Sequence, residues 1–283
     1  MKLLVTGATG QLGSLVVKHL LTKVPAEQIA VSVRDPQKAA HLKKAGVNVR
    51  KGDFTQPETL ESAFQGIDRL LLISTADGDR VKQHTAAVNA AKAANVKFIA
   101  YTSVVNARES KLVLAHDHAK TEEAILASGI PHVFLRNNWY LENEADTIQA
   151  SLNGAPFLSP IGDGRVGWAT RNDYAEAAAN ALTLSQHQKE IYELSGPLRT
   201  HTELAHIVSQ VSGQKIKVEQ VDVETFGEFL ASSGVPKEAV PFIKEIQNGI
   251  RGGALAIESH DFEELLGRSL TPVEEGIRQM ILN

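Results

Sequence analysis

The sequence predicts an α/β fold: a doubly wound, mostly parallel sheet with a smaller C-terminal lobe. Three observations predict it. Short apolar runs alternate with helical patterns through six successive strands, the order that builds a parallel sheet. The first run, Leu3-Leu4-Val5, breaks into Gly7-Ala8-Thr9-Gly10-Gln11-Leu12-Gly13 and then into Leu15, Val16, His19 and Leu20 at helical spacing. The second run, 29–33, ends at Arg34, where a nucleotide-binding sheet of the Rossmann type reads the ribose.

Each element follows in order. Leu3 to Val5 are apolar on both faces, as a buried strand requires. The helix after the glycines offers uncapped N–H groups and its positive dipole end to a pyrophosphate. Gly7 permits the tight turn, Gly10 close approach of phosphate oxygens, and Gly13 close packing of helix on strand. Asp35-Pro36 turns the chain into a helix over 37–45 that stops at Gly46. A third strand over 47–50 leads to Gly52-Asp53, and a helix over 57–64 closes at Gly66. The fully apolar run 70–73 is a central strand ending at Ser74-Thr75-Ala76. An alanine-rich helix over 81–94, a strand over 98–103, a helix over 120–127 and a strand over 132–135 complete the alternation. Right-handed crossovers put all the strand C-termini on one edge, where a ligand binds.

The pattern loosens after Asn143. Turns are expected at 153–156 and 162–164, and Asp173 reads as an N-cap with Glu176 as its capping-box partner. A helix to about 184, a strand over 191–194, a helix over 202–211 and an alternating strand over 216–221 follow. The helices from Val223 onward, with Gly252-Gly253 between them, read as a substrate lid or as extra packing over one sheet edge. The expected division is a dinucleotide-binding domain over 1–143, with 164–196 returning to it. The remainder of 144–283 is mainly a smaller substrate lobe.

The chain has 283 residues, enough for a sizeable core without staples. A net charge of −4 gives no electrostatic reason to expect nucleic acid. With no cysteine there is no disulfide, thiolate nucleophile or cysteine metal site. The opening apolar run is too short for a signal peptide, and no run approaches the length of a membrane helix. A cytoplasmic protein is the expectation.

The tip of the second strand selects the nucleotide. An acidic residue there would repel a 2′-phosphate, whereas Arg34 holds one bidentately, and Lys38 one turn on adds charge. The cofactor is therefore expected to be NADPH (NADP). Asp35 points away as the N-cap of the next helix. Asp53 either accepts from the adenine amino group or is a simple turn aspartate.

The glycine stretch and Val33-Arg34-Asp35-Pro36 resemble the NmrA-like branch of the atypical short-chain dehydrogenases. So do Lys97-Phe98-Ile99-Ala100-Tyr101-Thr102-Ser103, the run from Leu135 to Asn143 and Ala169-Thr170-Arg171-Asn172-Asp173-Tyr174. Within that branch they are most similar to its flavin-free, NADPH-dependent quinone reductases, with triphenylmethane dye reductases close by. The resemblance implies that Gly7, Ala8, Thr9, Gly10, Gln11 and Leu12 hold the pyrophosphate and Arg34 the 2′-phosphate. Ser74, Thr75 and Ala76 would line the ribose and pyrophosphate path. Asn137, Asn138, Trp139, Tyr140, Leu141 and Glu142 would flank the nicotinamide, and Arg171 would close the site. Trp139 and Tyr140 either stack on a flat ring or pack between the lobes.

Most short-chain dehydrogenases carry a Tyr-x-x-x-Lys pair after the fifth strand. This chain reads His116-Asp117-His118-Ala119-Lys120 there, so His116 stands at the tyrosine position. Alcohol oxidation and sugar-nucleotide epimerisation need that base; a quinone, already electrophilic, needs positioning and partial charge stabilisation. His118, Lys120, Asn138 and Tyr140 are the candidates to hydrogen-bond the developing oxyanion. No metal site is expected: His116, Asp117 and His118 lack a third ligand at a recognised spacing. His201 and His206 read as surface residues of a helix. The reaction read from this is hydride transfer from NADPH to a small quinone-like acceptor. The rival readings are an NADP-binding redox sensor without turnover and a triphenylmethane or azo dye reductase. A homodimer is compatible with all three.

Overall fold

The computed structural model describes residues 1–75 and 78–282. In chain order it contains β1 (Leu3–Thr6), α1 (Gln11–Leu21), β2 (Ile29–Val33), α2 (Ala40–Lys44), β3 (Asn48–Lys51), α3 (Leu60–Phe64), β4 (Arg69–Leu72), α4 (Arg80–Ala93), β5 (Phe98–Val104), α5 (Ala115–Ser128) and β6 (His132–Asn137). Then come β7 (Trp139–Tyr140), α6 (Ala145–Leu152), β8 (Phe157–Ser159), β9 (Trp168–Ala169), α7 (Arg171–Thr183) and β10 (Ile191–Leu194). The chain ends with α8 (His201–Ser212), β11 (Val218–Gln220), α9 (Val223–Ser232), α10 (Val240–Arg251), α11 (Asp261–Leu266) and α12 (Val273–Leu282).

Seven strands form one sheet in the order β10-β6-β5-β4-β1-β2-β3, and every neighbouring pair is parallel. The chain order reverses between β1 and β4, so the crevice for a ligand opens beyond their C-terminal ends. β1 and β4 are buried throughout, as apolar runs flanked by helices on both faces must be. Side-chain alternation divides β1 between two cores. Leu3 and Val5 pack with Val16 of α1, the alanines of α7 and Phe262 of α11. Leu4 packs with Leu70, Phe64 of α3, Val88 of α4 and Ile125 of α5. Each such leucine or phenylalanine, fully buried, contributes about 1.5–3 kcal/mol.

A third core lies in the C-terminal part, around Phe157, Trp168, Leu204, Ile246, Ile250 and Ile277. Two short parallel pairs serve it: β8 with β11, and β7 with β9, where Trp139 lies opposite Trp168. Among the described residues, no helix is long and apolar enough to cross a membrane.

Several local expectations are corrected. The helix expected over 37–45 is a 3-10 turn, Pro36–Ala39, followed by α2. α5 begins at Ala115 rather than Lys120. Asp173 is not an N-cap. Thr170 is, its Oγ1 accepting the Asp173 N–H at 3.1 Å, while Asp173 is fully buried and accepts from Thr271 and Arg268. The capping box instead joins Thr200 and Glu203 at the start of α8. His201 is buried, stacked on Trp168 at 5.6 Å, because the first turn of α8 faces the third core; His206 is exposed.

Candidate functional site

The glycine turn is built around one close approach. Gly7 has φ +61°, a conformation that disfavours a side chain, and its carbonyl accepts the Gly10 N–H at 2.9 Å. A Cβ on Gly13 would lie 2.3 Å from that carbonyl oxygen, so only glycine lets α1 start against the turn. Gly10 caps α1 and supplies no side-chain acceptor, which leaves the first N–H groups of the helix available to an anion.

These groups open into a cleft of about 800 Å³ along the C-terminal edge of the sheet. Residues 6–14 form its floor, and Arg34, Lys38 and His41 lie together at one end. Arg34 follows β2, Lys38 lies in the 3-10 turn Pro36–Ala39 and His41 in α2, so the reversal after β2 brings three basic side chains to the same lining. His41 was not legible, because a 3-10 turn followed by a separate short helix, and no single helical period, brings it beside Arg34. Asp35 accepts the Gln37 N–H at 2.9 Å through its own carboxylate. Asp53 and Phe54 line the same region; Asp53 Oδ1 is engaged by Thr55, from both its N–H and its hydroxyl, at 2.9 and 2.8 Å. A Cβ on Gly52 would meet Ser32 Oγ at 2.1 Å and Ala63 Cβ at 3.1 Å, so the chain packs closely where β3 leaves its neighbour.

The turn after β4 forms the middle of the wall. Ile73 N–H donates to Thr6 Oγ1 at 2.9 Å, Ser74 N–H to Thr102 Oγ1 at 2.9 Å, and Thr75 N–H to His84 Nε2 at 3.0 Å. Ile73, Ser74, Thr75 and Thr102 all line the cleft. Ala76 lies outside the described residues.

At the far end the cleft is lined by Tyr140, Asn143 and Arg171. The Arg171 guanidinium lies 5.1 Å from the centre of the Tyr140 ring. Asn137 Nδ2 donates to the Tyr140 hydroxyl at 3.0 Å, and burial pushes that phenol above its ordinary pKa. Glu142 accepts the Arg171 N–H through both carboxylate oxygens. The other residues of this stretch turn elsewhere. Trp139 donates its indole N–H to Glu144 at 3.2 Å, as Trp168 does at 3.3 Å. Leu141 is buried in the third core. Asn138 is buried, donating to Ser195 and to the Leu255 carbonyl at 3.0 and 2.9 Å, while its Oδ1 has no partner. Asn143, one residue past the run expected to flank the nicotinamide, was missed because nothing in its type distinguishes it.

Three candidates for the oxyanion contact are corrected: Asn138, whose amide donates to Ser195 and Leu255 and which does not line the cleft, and also Lys120 and His118. Lys120 is exposed and ion-paired with Glu123 at 2.8 Å, and His118 is buried against the Tyr101 hydroxyl at 2.9 Å; neither lines the cleft. With α5 starting at Ala115, the turn at 116–120 is helical, and its side chains diverge. His116 is exposed, and Asp117 pairs with Arg80 at 3.2 Å. Ser103, near the serine position of the short-chain dehydrogenases, donates to the buried Glu122 at 2.7 Å.

The comparisons decide the family. The family model described as NmrA-like matches residues 1–251. The chain belongs to the NmrA-like family. It is 40% identical to quinone oxidoreductase 2 of Escherichia coli, over 98% of this chain and 97% of that protein. The solved NADPH complex of an NADPH-dependent quinone oxidoreductase from Escherichia coli matches with TM-score 0.95 at 39% identity, covering 99% of this chain and 100% of that one. The NADP(H) complex of the Citrobacter triphenylmethane reductase matches with TM-score 0.94 at 41% identity, again covering 99% and 100%. This NmrA-like chain is thus similar along its whole length to two reductases solved with the same class of nucleotide.

Proposed function

We propose that the protein is an NADPH-dependent reductase of quinones, working without flavin and without the Tyr-x-x-x-Lys pair. One observation carries it. A single cleft joins the Gly7–Gly13 turn and a cationic end at Arg34, Lys38 and His41 to an aromatic end at Tyr140 and Arg171. The cradle fits NADPH: Gly13 lets α1 start directly against the Gly7 turn, and the uncapped N–H groups of that helix end would meet the phosphates. The 2′-phosphate suits three basic groups better than a bare ribose hydroxyl does.

When bound, NADPH supplies the hydride, two electrons and one hydrogen nucleus, to a ring carbon or carbonyl of the acceptor. The chain's own residues position and stabilise. Tyr140 is protonated at neutral pH, as a phenol is, and burial raises its pKa further. Its oxygen accepts from Asn137, so its hydrogen is available to the acceptor's developing oxyanion. Arg171 beside the ring adds positive potential. The second proton of the hydroquinone comes from solvent. Asn138 acts behind this layer, tying 195 and 255 to the end of β6.

The same reading divides the chain into a nucleotide domain over 1–143, joined by 164–196, and a substrate lobe over most of 144–283. Phe242 of α10, two-fifths exposed, lies 5.8 Å from the Arg80 guanidinium at the start of α4, which supports a lobe reaching over the nucleotide domain. It takes a small quinone-like molecule as partner, the cytoplasm as location and a homodimer as assembly. The test is NADPH oxidation by the purified protein, followed through the near-ultraviolet absorbance of the reduced nucleotide, with a small quinone, a triphenylmethane dye and an azo dye. Turnover is expected with the quinone, and Tyr140→Phe is expected to lower kcat several-fold with little change in the KM for NADPH. Turnover with a dye alone would assign the acceptor to the dyes. NADPH binding with no consumption in any arm would identify a sensor.

A further inference from the structure

His84 is buried in α4, yet both of its ring nitrogens are committed. Nε2 lies 3.0 Å from the Thr75 N–H, a group that only donates, so Nε2 carries no hydrogen. Nδ1 must then carry it, 2.9 Å from Thr121 Oγ1. The Thr121 hydroxyl passes its own hydrogen to the Asp117 carbonyl at 2.9 Å, one turn back on α5. Donor and acceptor are fixed at every link from Thr75 to α5.

A buried histidine is more often a satisfied core residue than a functional one, but this one touches the cleft from behind on two sides. Through Thr75 it holds the third of three consecutive N–H groups that β1, β5 and α4 pull inward, one from each element. With its three N–H groups turned inward, the turn lines the cleft through Ile73, Ser74 and Thr75 without offering a backbone donor there. On the other side the imidazole supports Phe54, which lines the nucleotide end, edge-on at 6.1 Å. Leucine would fill the same space and could accept nothing.

We infer that His84, held in its Nδ1–H tautomer by Thr121, is a positioning residue that shapes the 73–75 turn for the nucleotide without touching it. The inference rests on the cofactor half of the proposed function, not on the acceptor. Without His84 the Thr75 N–H faces an apolar wall and turns outward, into the space the nucleotide would occupy. Thr121, on a different helix and not among the residues lining the cleft, reaches the turn through the histidine, while its hydroxyl also meets the Tyr101 side chain.

The experiment is calorimetric titration of the full chain with NADP⁺, for wild type, His84→Leu, His84→Gln and Thr121→Val, with the KM values for NADPH and a small quinone measured beside it. His84→Leu is expected to raise the Kd for NADP⁺ and the KM for NADPH about tenfold, a loss comparable to one buried hydrogen bond, with the KM for the quinone unchanged. His84→Gln, whose side-chain oxygen reaches the Nε2 position, is expected to recover most of it. Thr121→Val releases the tautomer and is expected to raise the Kd about threefold. Wild-type Kd in His84→Leu, or equal loss in the Leu and Gln variants, would overturn the inference. If His84→Leu does not fold, an unchanged Kd in Thr121→Val overturns it instead. A wild type that binds NADP⁺ but reduces no quinone removes only the acceptor reading, because the Kd series still decides this one.

Discussion

Both carboxylate oxygens of Glu142 accept the backbone N–H of Arg171, each at 2.9 Å. The contact joins the segment after β6 to the first turn of α7, where the helix end offers a positive dipole to a carboxylate. It also sets the Arg171 guanidinium beside Tyr140. Glu142→Ala frees that N–H and loosens the pair. A charge-assisted hydrogen bond of this kind contributes about 1.5–3 kcal/mol. The variant is expected to raise the KM for NADPH roughly tenfold or more by steady-state kinetics, with Glu142→Gln intermediate.

Arg34 shares its end of the cleft with Lys38 and His41. Only a 2′-phosphate gives these groups a partner that a plain ribose lacks. Arg34→Ala is expected to raise the KM for NADPH by roughly 10- to 100-fold, the equivalent of one charge-assisted contact, and to leave the KM for NADH unchanged. The ratio of the two kcat/KM values reads the effect directly. Equal losses with both nucleotides would remove Arg34 from the phosphate site.

The sheet was legible because its physics is local. Leu3 to Val5 are buried on both faces and read as such, and Gly7, Gly10 and Gly13 stand where a turn must meet a helix. What was not legible depended on partners far along the chain. Asp173 looks like a cap beside Glu176, but it is buried by Thr271 and Arg268, about a hundred residues on. Strands of two or three residues, such as Trp139–Tyr140, carry no period of their own and exist only because Trp168–Ala169 lies alongside. The candidate oxyanion donors divided on the same ground. Tyr140 lines the cleft, whereas His118 and Lys120 share a helix whose start lies five residues earlier than its sequence pattern indicates, and neither reaches it.

Acid should expose two buried imidazoles. Burial, with the nearby Arg80, lowers the pKa of His84 to about 4; burial, with His84 and Arg80, lowers that of His118 to about 3. Tyr101 and the Arg80–Asp117 pair border the same cluster. In the unfolded chain both histidines titrate near 6.5. Between those values the unfolded state binds more protons, so the stability is complete above pH 6.5 and is lost as pH falls toward 4. At pH 5 each histidine costs roughly 2 kcal/mol. Chemical denaturation at pH 7 and pH 5 should show that loss in the wild type and a smaller one in His118→Asn. Equal pH dependence in the two would mean that His118 titrates normally.

Arg136 of β6 lies opposite Ser103 of β5, and both donate to the same Glu122 oxygen. Its guanidinium donates to both oxygens of the fully buried Glu122, at 2.8 and 2.7 Å, and to Glu193 of β10 at 2.8 Å. Burial alone would lower its pKa; the two carboxylates more than offset that and raise it. Removing one partner of a buried ion pair costs about 3–5 kcal/mol, whereas replacing the pair together is close to neutral; here the half-exposed Arg108, 3.4 Å from Glu122, offsets part of the loss, and Glu193 is left without its arginine in either variant. Arg136→Met is therefore expected to lower Tm by roughly 6–15 °C, and Glu122→Leu with Arg136→Met to recover much of that. Asn137, the next residue, still reaches Tyr140 from the opposite face of β6, so the single variant should keep its KM for NADPH at a temperature where it is folded. A lost KM with an unchanged Tm would place Arg136 in the site itself rather than in the frame beneath it.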